Sequence, residues 1–174
     1  MTIRQIDISH AAELSALAKA IYVEHYLHLW YPGGAEWYMN EQAYPAEKLQ
    51  AELADPNNLH YIVYDELNAP LGYLKLRIIA TLSGQEEKDC LEIERIYLHK
   101  AATGKGVGRQ LMELSETVAK QYHKDMVFLK AMDSSQDAIG FYQRMGYTVC
   151  GKLVLPFAQM KEVYRGMVIL QKTL

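Results

Sequence analysis

The segment from Leu91 to Val118 constrains the fold most, because it runs LEIERIYLHK, then AATGKGVGRQ, then LMELSETV. It reads as a strand, a tight glycine-rich turn and an amphipathic helix in direct succession, and a helix started in this way leaves its first N–H groups without intrahelical partners. Gly104, Gly106 and Gly108 place no side chains where the turn enters the helix, so a bulky anion can approach the backbone closely. The segment therefore predicts a phosphate cradle, with a pyrophosphate as its natural guest. G-K-G-V-G-R lacks the spacing and the terminal Gly-Lys-Ser/Thr of a nucleoside-triphosphate loop, and it lacks the third glycine position of a dinucleotide-binding turn.

In chain order, Thr2 to Asp7 alternates as a short strand, and Ser9 with Glu13 reads as an N-cap and a first-turn acid. Leu14, Leu17, Ala18, Ile21 and His25 recur at helical spacing, which predicts a helix over about residues 11 to 29 ending before Pro32-Gly33-Gly34. The next stretch is rich in aromatics, from Tyr22 and Tyr26 through Trp30, Tyr31, Trp37 and Tyr38 to Tyr44. These residues serve either as packing surface or as the wall of a pocket where ring faces and Glu24, Glu36 or Glu41 receive an alkylammonium. A short helix over Glu47 to Leu53 precedes an antiparallel hairpin of His60 to Asp65 and Leu71 to Ala80. Val107, Leu111, Leu114, Val118 and Tyr122 mark the buried stripe of the long helix, and Met126 to Ala131 is an apolar interior strand. Ser134 with Asp137 suggests a capping box, with Ala138, Phe141, Tyr142 and Met145 on one helix face and Gly146 as C-cap. Tyr147 to Leu155 and Met160 to Leu174 supply the last two strands.

Two of these stretches, in this order, carry a resemblance. Ala101 to Gly106, or Thr103 to Gly108 two residues on, resembles motif A of the GNAT acetyltransferase superfamily, Q/R-x-x-G-x-G/A after a strand, without its Gln or Arg. Ala138, Phe141, Tyr142, Gly146 and Tyr147 resemble motif B, with Ser135 where Asn is common. LEIERIYLHK, FYQRMGY and the closing VILQKTL look most like the bacterial spermine/spermidine N-acetyltransferase subgroup.

The resemblance implies an α/β fold, with a mixed, largely antiparallel seven-stranded sheet flanked by about four helices, and acetyl-CoA as co-substrate. In such a fold the central strand splays from its neighbour, so backbone groups of Ile96, Tyr97 and Leu98 would pair with the pantetheine arm and lie near the developing oxyanion. The pyrophosphate would rest on amides from Thr103 and Gly104 through Lys105, Gly106, Val107 and Gly108 to Arg109, with Lys105 or Arg109 adding charge. Ser135 and Phe141 would complete the coenzyme site. Tyr142 is the expected general acid at the coenzyme sulfur, since a phenol remains protonated at neutral pH. Glu92 and Glu94 are two apart on one strand and share a face; Glu94 is the expected base, unless it is spent on a salt bridge with Arg95, Lys75 or Arg77. Tyr26, Trp30, Tyr31 and Glu92 are the expected acceptor contacts. Polyamines are the first expected acceptor, with protein N-termini or lysines, aminoglycosides and amino-acid-like amines as rivals. A CoA-binding regulatory protein without transferase activity is the alternative of another class.

A length of 174 residues, half of them apolar, suits a single domain over residues 1–174. A net charge of −3 with scattered Lys and Arg argues against a nucleic-acid partner. His25 and His28 lack partners at metal-ligand spacing, so no metal is expected and both read as solvent-facing or rim residues. Cys90 and Cys150 fit two small buried hydrophobes in a reducing cytoplasm rather than a disulfide. Without an apolar leader or bilayer-length run, no membrane association is expected. A homodimer is compatible with all of this.

Overall fold

The computed structural model describes residues 1–174. In chain order its strands are β1 (Thr2–Ile6), β2 (Asn58–Tyr64), β3 (Pro70–Ala80), β4 (Cys90–Leu98), β5 (Met126–Met132), β6 (Thr148–Val154) and β7 (Gly166–Thr173). Its helices are α1 (Ala11–His25), the single turn α2 (Gly34–Trp37), α3 (Ala46–Ala54), α4 (Val107–Gln121) and α5 (Gln136–Arg144). The seven strands form one sheet in the order β1-β2-β3-β4-β5-β7-β6, antiparallel except for β4 against β5.

Each face of the sheet buries its own apolar layer. Under α4 and α5 lie Leu74, Leu91, Ile93, Leu111, Val127 and Ile139. Under α1 to α3 lie Leu14, Ile21, Tyr44, Leu49, Ile62 and Tyr73. A leucine as fully covered as Leu111 contributes roughly 2 kcal/mol by leaving water.

Two irregularities stand at the sheet centre. First, β4 carries a bulge: Lys75 faces Arg95 but Leu76 faces Ile93, so Glu94 is an extra residue. Ile93 therefore lies in the layer under α4, while both Glu94 and Arg95 bond to groups of the other face, Lys75 and Glu52. Second, the β4–β5 ladder ends at Ile93↔Leu129, yet β4 continues to Leu98 and β5 to Met132. Below the bulge the two strands part and leave a gap through the sheet.

Several expected boundaries shift for physical reasons. The first helix stops at His25 and resumes as a 3₁₀ turn over Leu27–Leu29, because Trp30 leaves the helical path to bridge Met160. Its entry is capped by Asp7 rather than Ser9: the Asp7 carboxylate accepts from the Ser9 amide at 3.0 Å at the head of a preceding 3₁₀ turn. The Ser134–Asp137 box does not form; Ser135 occupies the N-cap of α5 with no side-chain cap bond. Gly146 does adopt the left-handed conformation expected after that helix, with φ 91°. The last strand begins at Gly166, after the Met160 bridge and a 3₁₀ turn over Glu162–Tyr164. Cys90 is buried as expected, whereas Cys150 is exposed because β6 is an edge strand.

Candidate active site

The start of α4 is open to an anion. Gly104 and Gly106 have φ of 72° and 79°, a left-handed geometry that turns successive amides outward at little cost only for glycine. Thr103 N–H donates to the Lys100 carbonyl and Gln110 N–H to the Gly106 carbonyl, but none of the six amides from Gly104 to Arg109 donates within the protein. A Cβ at Gly104 or Gly106 would meet no atom within 4 Å, so the turn is open on the side where their side chains would stand. Gly108 serves packing instead: a Cβ there would lie 3.5 Å from the Phe141 ring, which seats α5 against α4. Lys105 is exposed and has no ion pair, whereas Arg109 is held by Glu113 at 2.9 Å. The Thr103 hydroxyl is spent on the Lys100 carbonyl at 2.7 Å.

The gap between β4 and β5 opens into a cleft of about 280 Å³. From β4 it is lined by Glu92, Glu94, Ile96 and Tyr97, and from β5 by Lys130 and Met132. Ser135, Ala138 and Tyr142 close it on the α5 side, and Tyr22, Tyr26 and Tyr38 on the α1 side. The Tyr142 hydroxyl has no hydrogen-bond partner in the protein, and burial, with a smaller push from Tyr26, raises its pKa well above the ordinary tyrosine value. The Tyr142 phenol therefore stays neutral across the physiological range.

Both cleft carboxylates are engaged. Glu92 is buried and accepts from Lys130 at 2.8 Å and Arg77 at 3.3 Å. Glu94 accepts from Lys75 at 2.8 Å, with Arg95 at 3.6 Å and Arg77 at 3.7 Å. Glu52 of α3, which the sequence did not single out, completes the group by gripping Arg95 through both carboxylate oxygens, at 2.7 and 3.2 Å, and meeting Lys75 at 3.0 Å. Burial pushes the Glu52 carboxyl up, but Arg95 and then Lys75 outweigh it and hold it below its usual value. The ion-pair alternative for Glu94 is thus present in the structure, with all three cations the sequence suggested.

The aromatic stretch divides. Tyr26 lines the cleft, edge-on to Tyr97 at 5.7 Å between ring centroids. Burial, then neighbouring Tyr38, pushes its phenol up to about 12. Trp30 does not reach the cleft; it is buried in the layer under α1, where its indole N–H donates to the Tyr22 hydroxyl at 2.9 Å. Tyr31 is exposed and donates to Glu162 at 2.6 Å, also outside the cleft. Glu24 is not free for an alkylammonium: it accepts from the Lys100 amide at 2.8 Å and pairs with His99 at 2.7 Å, and these two contacts hold its carboxyl below the usual range. Glu36 and Glu41 are exposed and lie off the cleft wall. His25 donates to the Leu98 carbonyl at 2.9 Å, which pins the end of β4 to α1, and His28 packs edge-on against Tyr164. Leu155, Phe157, Met160 and Met167 complete the apolar wall. No local pattern marks these four, because the start of β7 and the connection before it are brought to the cleft only by the sheet order. No group of three or more His, Cys, Asp or Glu is placed to hold a metal ion, and no helix is long and apolar enough to cross a membrane.

The acetyltransferase (GNAT) family model matches residues 22–147. An uncharacterized N-acetyltransferase of the pepI 3′ region of Lactobacillus delbrueckii subsp. lactis is 32% identical over 108 residues, a match spanning 62% of this chain and 62% of that protein. Among solved structures, PaiA N-acetyltransferase from Thermoplasma acidophilum, in complex with coenzyme A, superposes with a TM-score of 0.77 at 20% identity, covering 99% of this chain and 98% of its own. A variant of spermidine N-acetyltransferase SpeG from Vibrio cholerae gives 0.70 at 15% identity, covering 99% and 92%. At such identities these two structures share the fold. The family match spans well over half the sequence and includes β4, the glycine turn and α5, so the chain belongs to the acetyltransferase (GNAT) family.

Proposed function

We propose that residues 1–174 act as one cytoplasmic domain that moves an acetyl group from acetyl-CoA to a primary amine by direct attack. The observation that carries this reading is the row of six uncommitted amides from Gly104 to Arg109 beside the parted end of β4. A diphosphate suits that row, because oriented amides and the positive end of α4 favour an anion without any cationic side chain. Lys105, free of ion pairs, adds charge to a phosphate. The pantetheine arm then lies along Ile96, Tyr97 and Leu98 and carries the thioester into the cleft. That acetyl-CoA is the donor is supported further by the coenzyme A complex of the Thermoplasma acidophilum enzyme.

In the reaction the neutral amine nitrogen attacks the thioester carbonyl, the new N–C bond forms and the C–S bond breaks. Backbone amides of β4 below the bulge stabilise the charge on the carbonyl oxygen. Tyr142 gives its proton to the departing sulfur and regains one from water, while the proton shed by the nitrogen leaves through water at the cleft mouth. Because the Glu94 oxygens already accept from Lys75 and face two guanidiniums, we assign Glu94 a part in shaping the cleft wall where the amine is oriented rather than sole responsibility for its proton. Polyamines and apolar monoamines are both primary amines, and likeness to the Vibrio cholerae spermidine enzyme, at 15% identity a likeness of fold, does not choose between them.

Calorimetric titration with acetyl-CoA tests the coenzyme reading. Gly106→Ala keeps the fold but strains the left-handed turn, at a cost of about 1–2 kcal/mol, and is expected to weaken binding about tenfold. Equal affinity for wild type and variant would move the coenzyme elsewhere.

A further inference from the structure

We infer that the acceptor is a primary monoamine on an aromatic or branched aliphatic body, with no second cationic centre; this deepens the acetyl-transfer reading above and rests on it. Glu92 and Glu94 are the only carboxylates on the cleft wall, and neither is free. The group to which they belong holds four cations, Lys75, Arg77, Arg95 and Lys130, against three carboxylates, Glu52, Glu92 and Glu94, and so carries a formal charge of +1. A polyamine brings two or more ammoniums, and acetylation discharges only one. Each remaining ammonium would lose its water beside a cluster that is already net positive, which disfavours such acceptors.

The remainder of the wall suits an apolar body. Tyr22 and Tyr26 lie 5.0 Å apart between centroids, and Tyr38 meets Phe157 at 5.7 Å. Together with Tyr97 and Met160 they give ring faces and a thioether rather than charge. The hydroxyls of Tyr26, Tyr38 and Tyr97 have no hydrogen-bond partners in the protein, unlike that of Tyr22, which accepts from Trp30. Three neutral hydroxyls and the surrounding ring faces can receive one ammonium or amine without a counter-ion. The volume of about 280 Å³, which must also admit the acetyl end of the donor, fits one ring or a short branched chain rather than an aminoglycoside.

Thiol release from saturating acetyl-CoA, measured with the full chain, tests this against 2-phenylethylamine, 3-methylbutylamine, putrescine and spermidine. The first two are expected to give kcat/KM at least tenfold above the last two. In Lys130→Met, which removes the ammonium 2.8 Å from Glu92, spermidine should gain several-fold and the gap should narrow. Spermidine turning over as well as the monoamines, or a gap unmoved by Lys130→Met, would overturn the inference and leave acetyl transfer standing. No thiol release with any amine, despite acetyl-CoA binding, would overturn both.

Discussion

The two faces of the sheet treat polar groups in opposite ways. On the α4–α5 face, six consecutive amides are left without partners and the Tyr142 hydroxyl bonds to nothing in the protein. On the α1–α3 face, four cations and three carboxylates are matched so closely that no carboxylate on the cleft wall remains uncommitted. Uncommitted groups on a rigid frame are where a ligand can supply the missing partner, whereas committed groups fix geometry and exclude ligands that bring the wrong charge. On the proposed reading, the α4–α5 face receives the coenzyme and the α1–α3 face discriminates among acceptors.

That contrast can be broken at its most charged point. Lys75 is 4% exposed between Glu52 and Glu94; Lys75→Met should cost about 3–5 kcal/mol in urea unfolding, because two carboxylates lose their shared ammonium. A loss below about 1 kcal/mol would mean that Arg95 and Arg77 suffice. Next is His60, opposite Lys75 on β2, whose two ring nitrogens are buried without partners. Burial, and then the Lys75 ammonium, lowers its pKa to about 4. Between pH about 6.5 and 4 the unfolded chain holds the extra proton and the folded chain does not, so stability falls as pH falls, by on the order of 3 kcal/mol. His60→Leu should flatten that part of the profile; an unchanged slope would assign acid sensitivity to the carboxylates alone. On the other face, Tyr142→Phe should lower kcat about a hundredfold, or about 2.7 kcal/mol, with acetyl-CoA affinity unchanged. Unaltered turnover would remove Tyr142 from the chemistry. Smallest of all, Glu113→Ala frees the exposed Arg109 and should change stability by no more than about 0.5 kcal/mol, while a gain in coenzyme affinity would add Arg109 to the proposed phosphate contacts.

What could be read in advance followed the same division. The coenzyme side is nearly contiguous: β4, the glycine turn and α4 occupy one stretch, and the positive φ of Gly104 and Gly106 follows from residue type. The acceptor side is assembled from distant pieces. Glu52 meets Arg95 across 43 residues and Lys130 meets Glu92 across 38, so no spacing rule could pair them. Trp30 and Tyr26 follow the same aromatic pattern, yet one is buried core and the other cleft wall, because the helix ends at His25 and, past the 3₁₀ turn that follows Tyr26, Trp30 turns inward to Met160. Periodicity marks which side chains leave water, but not whether protein or ligand covers them.

The additional residue in β4 has one more consequence. Were the strand ironed flat at its present length, the in-and-out alternation would swing the Arg95 guanidinium into the oily layer beneath α4 and turn Ile96 and Tyr97 to each other's sides. The kink is therefore locked by the penalty for straightening it. Shortening the chain there by one residue would preserve the parity of both halves, and so is the length change best suited to zipping β4 and β5 together and sealing the gap.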